Sequence, residues 1–86
     1  MKEFHLKVST PSGTVYDGSA LRISVRGIGG ELAVMAGHIP FVTMVKEGEI
    51  RIIGADEKTL RATSAGGLLT VSRELVSLLA SDFSFV

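Results

Sequence analysis

Apolar and polar residues in this chain alternate with a period of two, and small, flexible or proline residues break the alternation at short intervals. Phe4, Leu6 and Val8 alternate with His5, Lys7 and Ser9, and Leu21, Ile23 and Val25 alternate with Arg22, Ser24 and Arg26. Ile50 and Ile52 repeat the pattern further on. Side chains of an extended strand point to opposite faces in turn, so a period of two marks a strand with one buried face, whereas a helix needs a period near 3.6. The chain therefore predicts strands that must pair and stack, with no convincing helix between them.

The breaks divide it finely. Pro11-Ser12-Gly13 stops the first strand, and Val15-Tyr16 reads as a short extended piece closed by Asp17-Gly18. Gly27-Ile28-Gly29-Gly30 reads as a tight hairpin turn that needs positive φ. The pieces Leu32 to Met35 and Phe41 to Val45 flank a corner at Gly37-His38-Ile39-Pro40, where Pro40 lacks an amide donor and holds Ile39 extended. Gly54 to Lys58 is a polar hairpin loop, and Thr59 to Thr63 returns from it with Leu60 and Ala62 alternating against Arg61. Leu69 and Val71 follow Gly66-Gly67. Val76, Leu78 and Ala80 form a last strand that carries Leu75 and Leu79 on its other face, so it is expected to be central or covered. The Gly-Gly-x-Leu pattern at Gly29 and Gly66 reads as two similar turns. About 8–10 short strands at this spacing predict an all-β fold, a two-sheet β-sandwich or flattened barrel, in one domain spanning residues 1–86.

Composition narrows the partners. The chain has 86 residues, enough to bury roughly 60% of its unfolded surface around one modest core. Nine basic residues balance nine acidic ones, so no broad field draws in nucleic acid or an anionic membrane. The absence of cysteine removes disulfides and thiolate metal sites. The polar start Met1-Lys2-Glu3-Phe4-His5 does not resemble a signal peptide. The longest uncharged run, Leu32 to Val45, contains Gly37 and Pro40 and falls short of the ~18–20 apolar residues a bilayer span needs. A soluble domain without direct membrane insertion is expected.

Chemistry is scarce. A hydrolytic triad needs a nucleophile, a base and an acid converging in space, yet the two histidines are His5, on the exposed phase of the first strand, and His38, in a corner. Asp17, Asp56, Asp82 and the histidines fall in separate segments with no paired metal-ligand spacing. Gly27 to Gly30 lacks the spacing of a phosphate-binding loop, and no helix pattern follows it. Arg22, Arg26 and Lys46 could form a small basic patch, but few aromatic residues interleave them, which favours a solvated face. No catalytic residue, cofactor or metal is predicted. Glu31, the only charge between Arg26 and Lys46, has two readings: an ordinary surface acid, or a carboxylate at a loop tip that meets a basic or polar loop of a partner, with His38 across the same corner.

The run Gly30-Glu31-Leu32-Ala33-Val34-Met35-Ala36-Gly37-His38-Ile39-Pro40-Phe41-Val42-Thr43 resembles the G-E-L-G-[IV]-x-P-G-H-x-P-[LF]-[LV]-T signature of the epsilon subunit of F-type ATP synthases. Phe4 to Pro11, Val15 to Gly18, Lys46 to Ile52 and Gly66 to Val71 extend the likeness over nearly the whole chain. Ala33 stands where that family usually has glycine, and Ala36 where it usually has proline.

The resemblance implies a non-catalytic rotor part of the central stalk, bound to the gamma subunit and the c-ring of the F1Fo complex and coupling ion flow to ATP synthesis. It places the protein peripherally on the cytoplasmic face of a bacterial plasma membrane, with Glu31 and His38 in the ring-facing loop. The isolated chain is expected to be monomeric. The family continues into a hairpin of two α-helices that inhibits ATP hydrolysis and in some members binds ATP; that hairpin is expected to be missing here. Phe83 and Phe85 are then expected to pack on the sandwich or on gamma. A biotinyl or lipoyl carrier, or another β-sandwich interaction module, is the alternative; a carrier would use Lys58 in its hairpin loop as the attachment point, although Met35 is followed by alanine and not by the lysine such carriers need.

Overall fold

The computed structural model describes residues 2–86 and holds nine strands and no helix among them. They are β1 (Phe4–Thr10), β2 (Gly13–Gly27), β3 (Gly30–Met35), β4 (Phe41–Val45), β5 (Gly48–Gly54), β6 (Thr59–Ser64), β7 (Gly67–Val71), β8 (Val76–Ala80) and β9 (Ser84–Phe85). The order β1-β8-β7-β4 makes one layer, and β3-β2-β5-β6-β9 the other. All pairings are antiparallel except β1 with β8.

One strand belongs to both layers. The first half of β2 pairs with β1, from Thr10↔Gly13 to Phe4↔Ala20, and its second half lies between β3 and β5. This overturns the reading of Asp17-Gly18 as a closing turn, because Asp17 and Gly18 sit in the ladder opposite Lys7 and Leu6. The change of layer is made at a β-bulge. Ala20 pairs with Gly54 and Arg22 with Ile53, so two steps along β2 oppose one along β5. Because a one-residue slip reverses every side chain, the inward phase passes from Ala20 to Leu21, Ile23 and Val25, all buried. A single bridge, Gly27↔Val45, closes the layers on the other side.

The core comes from both layers: Leu6 and Val8 of β1, Leu69 and Val71 of β7, and Val76 and Leu78 of β8 face Ile23 and Val25 of β2, Val34 of β3, and Ile50 and Ile52 of β5. Two strand readings need correction. Leu60, expected to alternate inward with Ala62, is 40% exposed beside buried Ala62, because β6 near the hairpin has no facing strand to cover it. The reading of Val76 to Ala80 as central or covered holds in its first form, since β8 lies between β1 and β7, although its outer face is open and Leu79 is 54% exposed. It is not the last strand, however, since β9 pairs with β6 through Ala62↔Phe85 and Thr63↔Ser84.

The two Gly-Gly turns differ. Gly30 has φ +125° with open space around it. Gly66 has φ +123°, and a Cβ there would lie 2.6 Å from the Val45 carbonyl oxygen. The buried Ser64 hydroxyl satisfies this turn by donating to the Asp82 carbonyl at 2.8 Å and accepting from the Gly66 amide at 3.1 Å. The Asp82 carboxylate in turn accepts from the Ala65 amide at 2.5 Å, which ties the tail to the β6–β7 turn.

Candidate binding faces

With the inward phase of β1 to β8 spent on the core, recognition falls to the outward phase, and the two layers spend it differently. On the first layer Met44 of β4 pairs with Leu68 of β7, and Leu68 pairs with Leu79 of β8. Directly opposed residues point to one face, so these three form an apolar row across three strands, with Val42 two residues along β4. All four are exposed, Met44 and Val42 each at 62%. A shallow concavity runs beside the row along Ser9, Thr10 and Pro11. Sequence alternation flagged the inward residues and missed this face, although Leu79 opposite Leu78 was its signal.

On the second layer the outward residues are mostly polar. Arg51 of β5 lies between Ser24 of β2 and Arg61 of β6 in register. Glu49 holds both arginines: the Arg51 Nε donates to one carboxylate oxygen at 2.6 Å, and Arg61 donates to the other from Nε at 3.1 Å and Nη2 at 2.6 Å. These hydrogen bonds, the one from Arg61 foremost, hold the Glu49 carboxyl below the usual carboxylate range. Arg22 and Arg26, read from the sequence as a solvated face, stand here on a larger arginine face, because β5 and β6 contribute Arg51 and Arg61 from distant in sequence.

The structure does not bring Glu31 and His38 together. Glu31 is the second residue of β3, paired with Arg26 next to the Gly27–Gly30 turn, while β3 ends at Met35, paired with Arg22. Four residues of strand at about 3.4 Å each separate Glu31 from Met35 by roughly 14 Å, and His38 lies beyond that. Glu31 borders a hollow with Arg26, Glu49 and Arg51; His38 borders one with Phe4, His5, Pro40 and Leu75. The expectation that they share one corner is therefore corrected, because an extended β3 carries them to opposite ends of the sandwich. The His38 ring meets Phe41 edge to face with centroids 6.3 Å apart.

His5 is more than a solvated strand residue. Its Nε2 pairs with the Asp17 carboxylate across β1 and β2, a contact hidden in the sequence by the misread turn. No three metal-ligating side chains converge among the described residues. Phe83 packs against the core cluster and Phe85 meets it edge to face at 5.1 Å, half exposed. Lys58 sits in the β5–β6 turn, where its amide donates to Asp56 Oδ1 at 3.0 Å and its carbonyl accepts from the Gly54 amide at 3.0 Å. None of the helices is long and apolar enough to cross a membrane, there being none among the described residues.

Comparison with known proteins agrees with this fold. Residues 3–85 match the family described as the beta-sandwich domain of the ATP synthase delta/epsilon chain. The sodium ion specific ATP synthase epsilon chain of Acetobacterium woodii is 42% identical over 76 residues, 87% of this chain and 57% of that one. The ATP synthase epsilon chain of Priestia megaterium is 40% identical over 80 residues, 93% of this chain and 59% of that one. The chain thus spans less than two thirds of these relatives. Among solved structures, a chain of the Euglena gracilis mitochondrial ATP synthase, resolved with OSCP, F1 and c-ring, superimposes with a TM-score of 0.90 at 19% identity, over 96% of this chain and 53% of that one. One from the central stalk and c-ring of the Tetrahymena thermophila mitochondrial ATP synthase gives 0.80 at 13% identity, over 95% and 66%. At such identities the likeness is one of fold. The match over nearly all of its length, together with the level of identity to bacterial epsilon chains, makes this chain a member of the ATP synthase delta/epsilon β-sandwich family.

Proposed function

We propose that this chain serves as the sandwich part of an epsilon subunit: a non-catalytic rotor element of an F-type ATP synthase that binds gamma and the c-ring and couples ion flow to ATP synthesis. The observation that carries the reading is the exposed apolar row Met44, Leu68 and Leu79 with Val42 beside it. Contiguous exposed apolar surface on a small domain marks an interaction site, and an interface core is apolar within a polar rim. Gamma is the proposed occupant, because epsilon relatives share this chain's sequence and a structural neighbour belongs to a central stalk. The Gly27–Gly30 turn, with Glu31 beside it and Ile28 exposed, is the proposed c-ring contact. His38, at the other end of β3, falls outside that contact. The subunit would work as one 1–86 domain, peripheral on the cytoplasmic side of the membrane.

Co-purification tests the reading. Mixed with gamma and c-ring from one source, the chain should form a stable complex. Met44→Glu should weaken gamma binding by at least about tenfold, roughly 1.4 kcal/mol. Glu31→Arg should loosen the ring while sparing gamma. Failure of the wild-type chain to bind gamma, or binding by Met44→Glu equal to wild type, overturns the assignment.

A further inference from the structure

The second layer's outer face holds a groove that the rotor role does not use. It measures about 330 Å³ and is lined by Arg22, Ser24, Arg51, Ile53, Thr59 and Arg61. These six are a block of the sheet: the outward positions of β2, β5 and β6 over two successive rows, with Ser24↔Arg51↔Arg61 in one and Arg22↔Ile53↔Thr59 in the other. Three guanidinium groups and two hydroxyls converge with no acid among the lining residues.

Each group's commitments leave donors over. A guanidinium has five N–H donors. Glu49 takes one from Arg51 and two from Arg61, and it stands outside the groove, so it holds both side chains from one side. Among the described residues Arg22 has no carboxylate partner, and its Nε is shut off from solvent without a hydrogen-bond acceptor. A covered donor without a partner is costly and calls for an acceptor. Like charges directly opposed on a sheet, as Arg51 and Arg61 are, repel unless something negative joins them. Glu49 offsets one of the three positive charges and Glu31 acts on Arg51 from outside the groove, which still leaves an excess of positive charge for an oxyanion.

We propose that this groove is an oxyanion site that binds a phosphate group, held by Arg22, Arg51 and Arg61 in charge-assisted hydrogen bonds with Ser24 and Thr59 at its sides. Planar guanidinium forks match phosphate oxygens two at a time. The groove is open to solvent and large enough to hold free phosphate or to admit the phosphate end of a nucleotide. The site lies on the face opposite the apolar row, and it stands or falls independently of the rotor reading.

The test is an NMR titration of the ¹⁵N-labelled 86-residue chain with inorganic phosphate, sodium ADP and sodium acetate, each at constant ionic strength. Phosphate should give saturable shifts at Arg22, Ser24, Arg51, Thr59 and Arg61 with an affinity in the millimolar range, and Arg22→Gln and Arg61→Gln should each weaken it about tenfold. Arg26→Gln, on the same face outside the groove, should bind phosphate within about twofold of wild type. Tighter binding of ADP on the same footprint identifies a nucleotide as the source of the phosphate; tighter or equal binding of free phosphate identifies the ion itself. The exposed Arg61 keeps the test meaningful if Arg22→Gln loosens the fold. Absence of saturation by about 50 mM phosphate, equal binding of acetate, or indifference to both arginine substitutions overturns the site.

Discussion

Gly67→Ala should unfold this domain far more easily than Gly29→Ala, although both glycines belong to the same Gly-Gly-x-Leu pattern. A Cβ on Gly67 would stand 2.1 Å from the Leu79 carbonyl oxygen and 2.8 Å from the Ala80 Cα. Reaching an ordinary contact of 3.4 Å means moving β7 and β8 apart by about 1.3 Å, and the obstacle is backbone, which cannot rotate away. Gly67 pairs with Ala80 there, so the movement sacrifices one or two ladder hydrogen bonds at about 0.5–1.5 kcal/mol each. Distortion of the packed strands adds about 1–3 kcal/mol, against a gain of about 0.4–1 kcal/mol from the stiffer unfolded chain. The net loss spans roughly 0.5–5.5 kcal/mol with a middle value of about 3 kcal/mol, out of a total near 4–13 kcal/mol for 86 residues.

Gly29 meets nothing within 4 Å and has no positive φ, so its alanine variant should be neutral or stabilised by up to about 1 kcal/mol. Urea unfolding followed by circular dichroism compares the two, and in a heat scan the middle value of about 3 kcal/mol should make Gly67→Ala melt at least about 10 °C lower, at roughly 4–8 °C per kcal/mol. A Gly67→Ala protein within about 0.5 kcal/mol of wild type would show that β7 does not approach β8 as closely as described.

Neighbouring leucines of β8 give a sharper contrast: Leu78→Ala, fully buried, should lose about 3–5 kcal/mol by leaving a cavity, while Leu79→Ala, half exposed, should stay within about 0.5–1 kcal/mol of wild type in the same urea experiment. Glu49 should titrate below the usual carboxylate range by NMR of its side-chain carboxyl, and Arg61→Ala should move its midpoint up more than Arg51→Ala does. A lowered folded-state value means that the pair's contribution to stability is present above the unfolded-state pKa and is lost as the pH falls through the folded one. Glu49→Gln should therefore flatten the acid side of the stability profile; an unchanged slope there would refute that linkage.

The inward half of the fold was legible from alternation alone, because burying one face of a strand constrains every second residue. Leu6, Val8, Ile23, Val25, Ile50, Ile52, Leu69 and Leu78 all stand where the period of two puts them. Alternation says which residues turn inward, but not which strand lies alongside. Asp17-Gly18 carries the chemistry of a turn, yet pairing with Lys7 and Leu6 satisfies its backbone and keeps it extended. The bulge at Leu21 was invisible for the same reason, since it exists only relative to β5. Phe83-Ser84-Phe85 alternates too briefly to read as a strand and becomes one only by adding to β6. Glu31 and His38 sit seven positions apart, a distance that a turn would close and an extended strand opens.

The outward half obeys no single rule, and there the two layers part company. An outward apolar residue gains nothing from the core, so Met44, Leu68 and Leu79 in one register row need a reason outside the fold, as do Arg51 and Arg61 placed side by side. The same strand, β2, joins the two faces covalently: its first half edges β1 in the layer with the apolar row, and its second half carries Arg22 and Ser24 in the layer with the arginines. A force applied to either face passes to the other along one extended backbone and through a close-packed core of low compressibility. That is the mechanical property a domain gripped on one face and loaded at one end requires, and it follows from the bulge that lets a single strand serve two sheets.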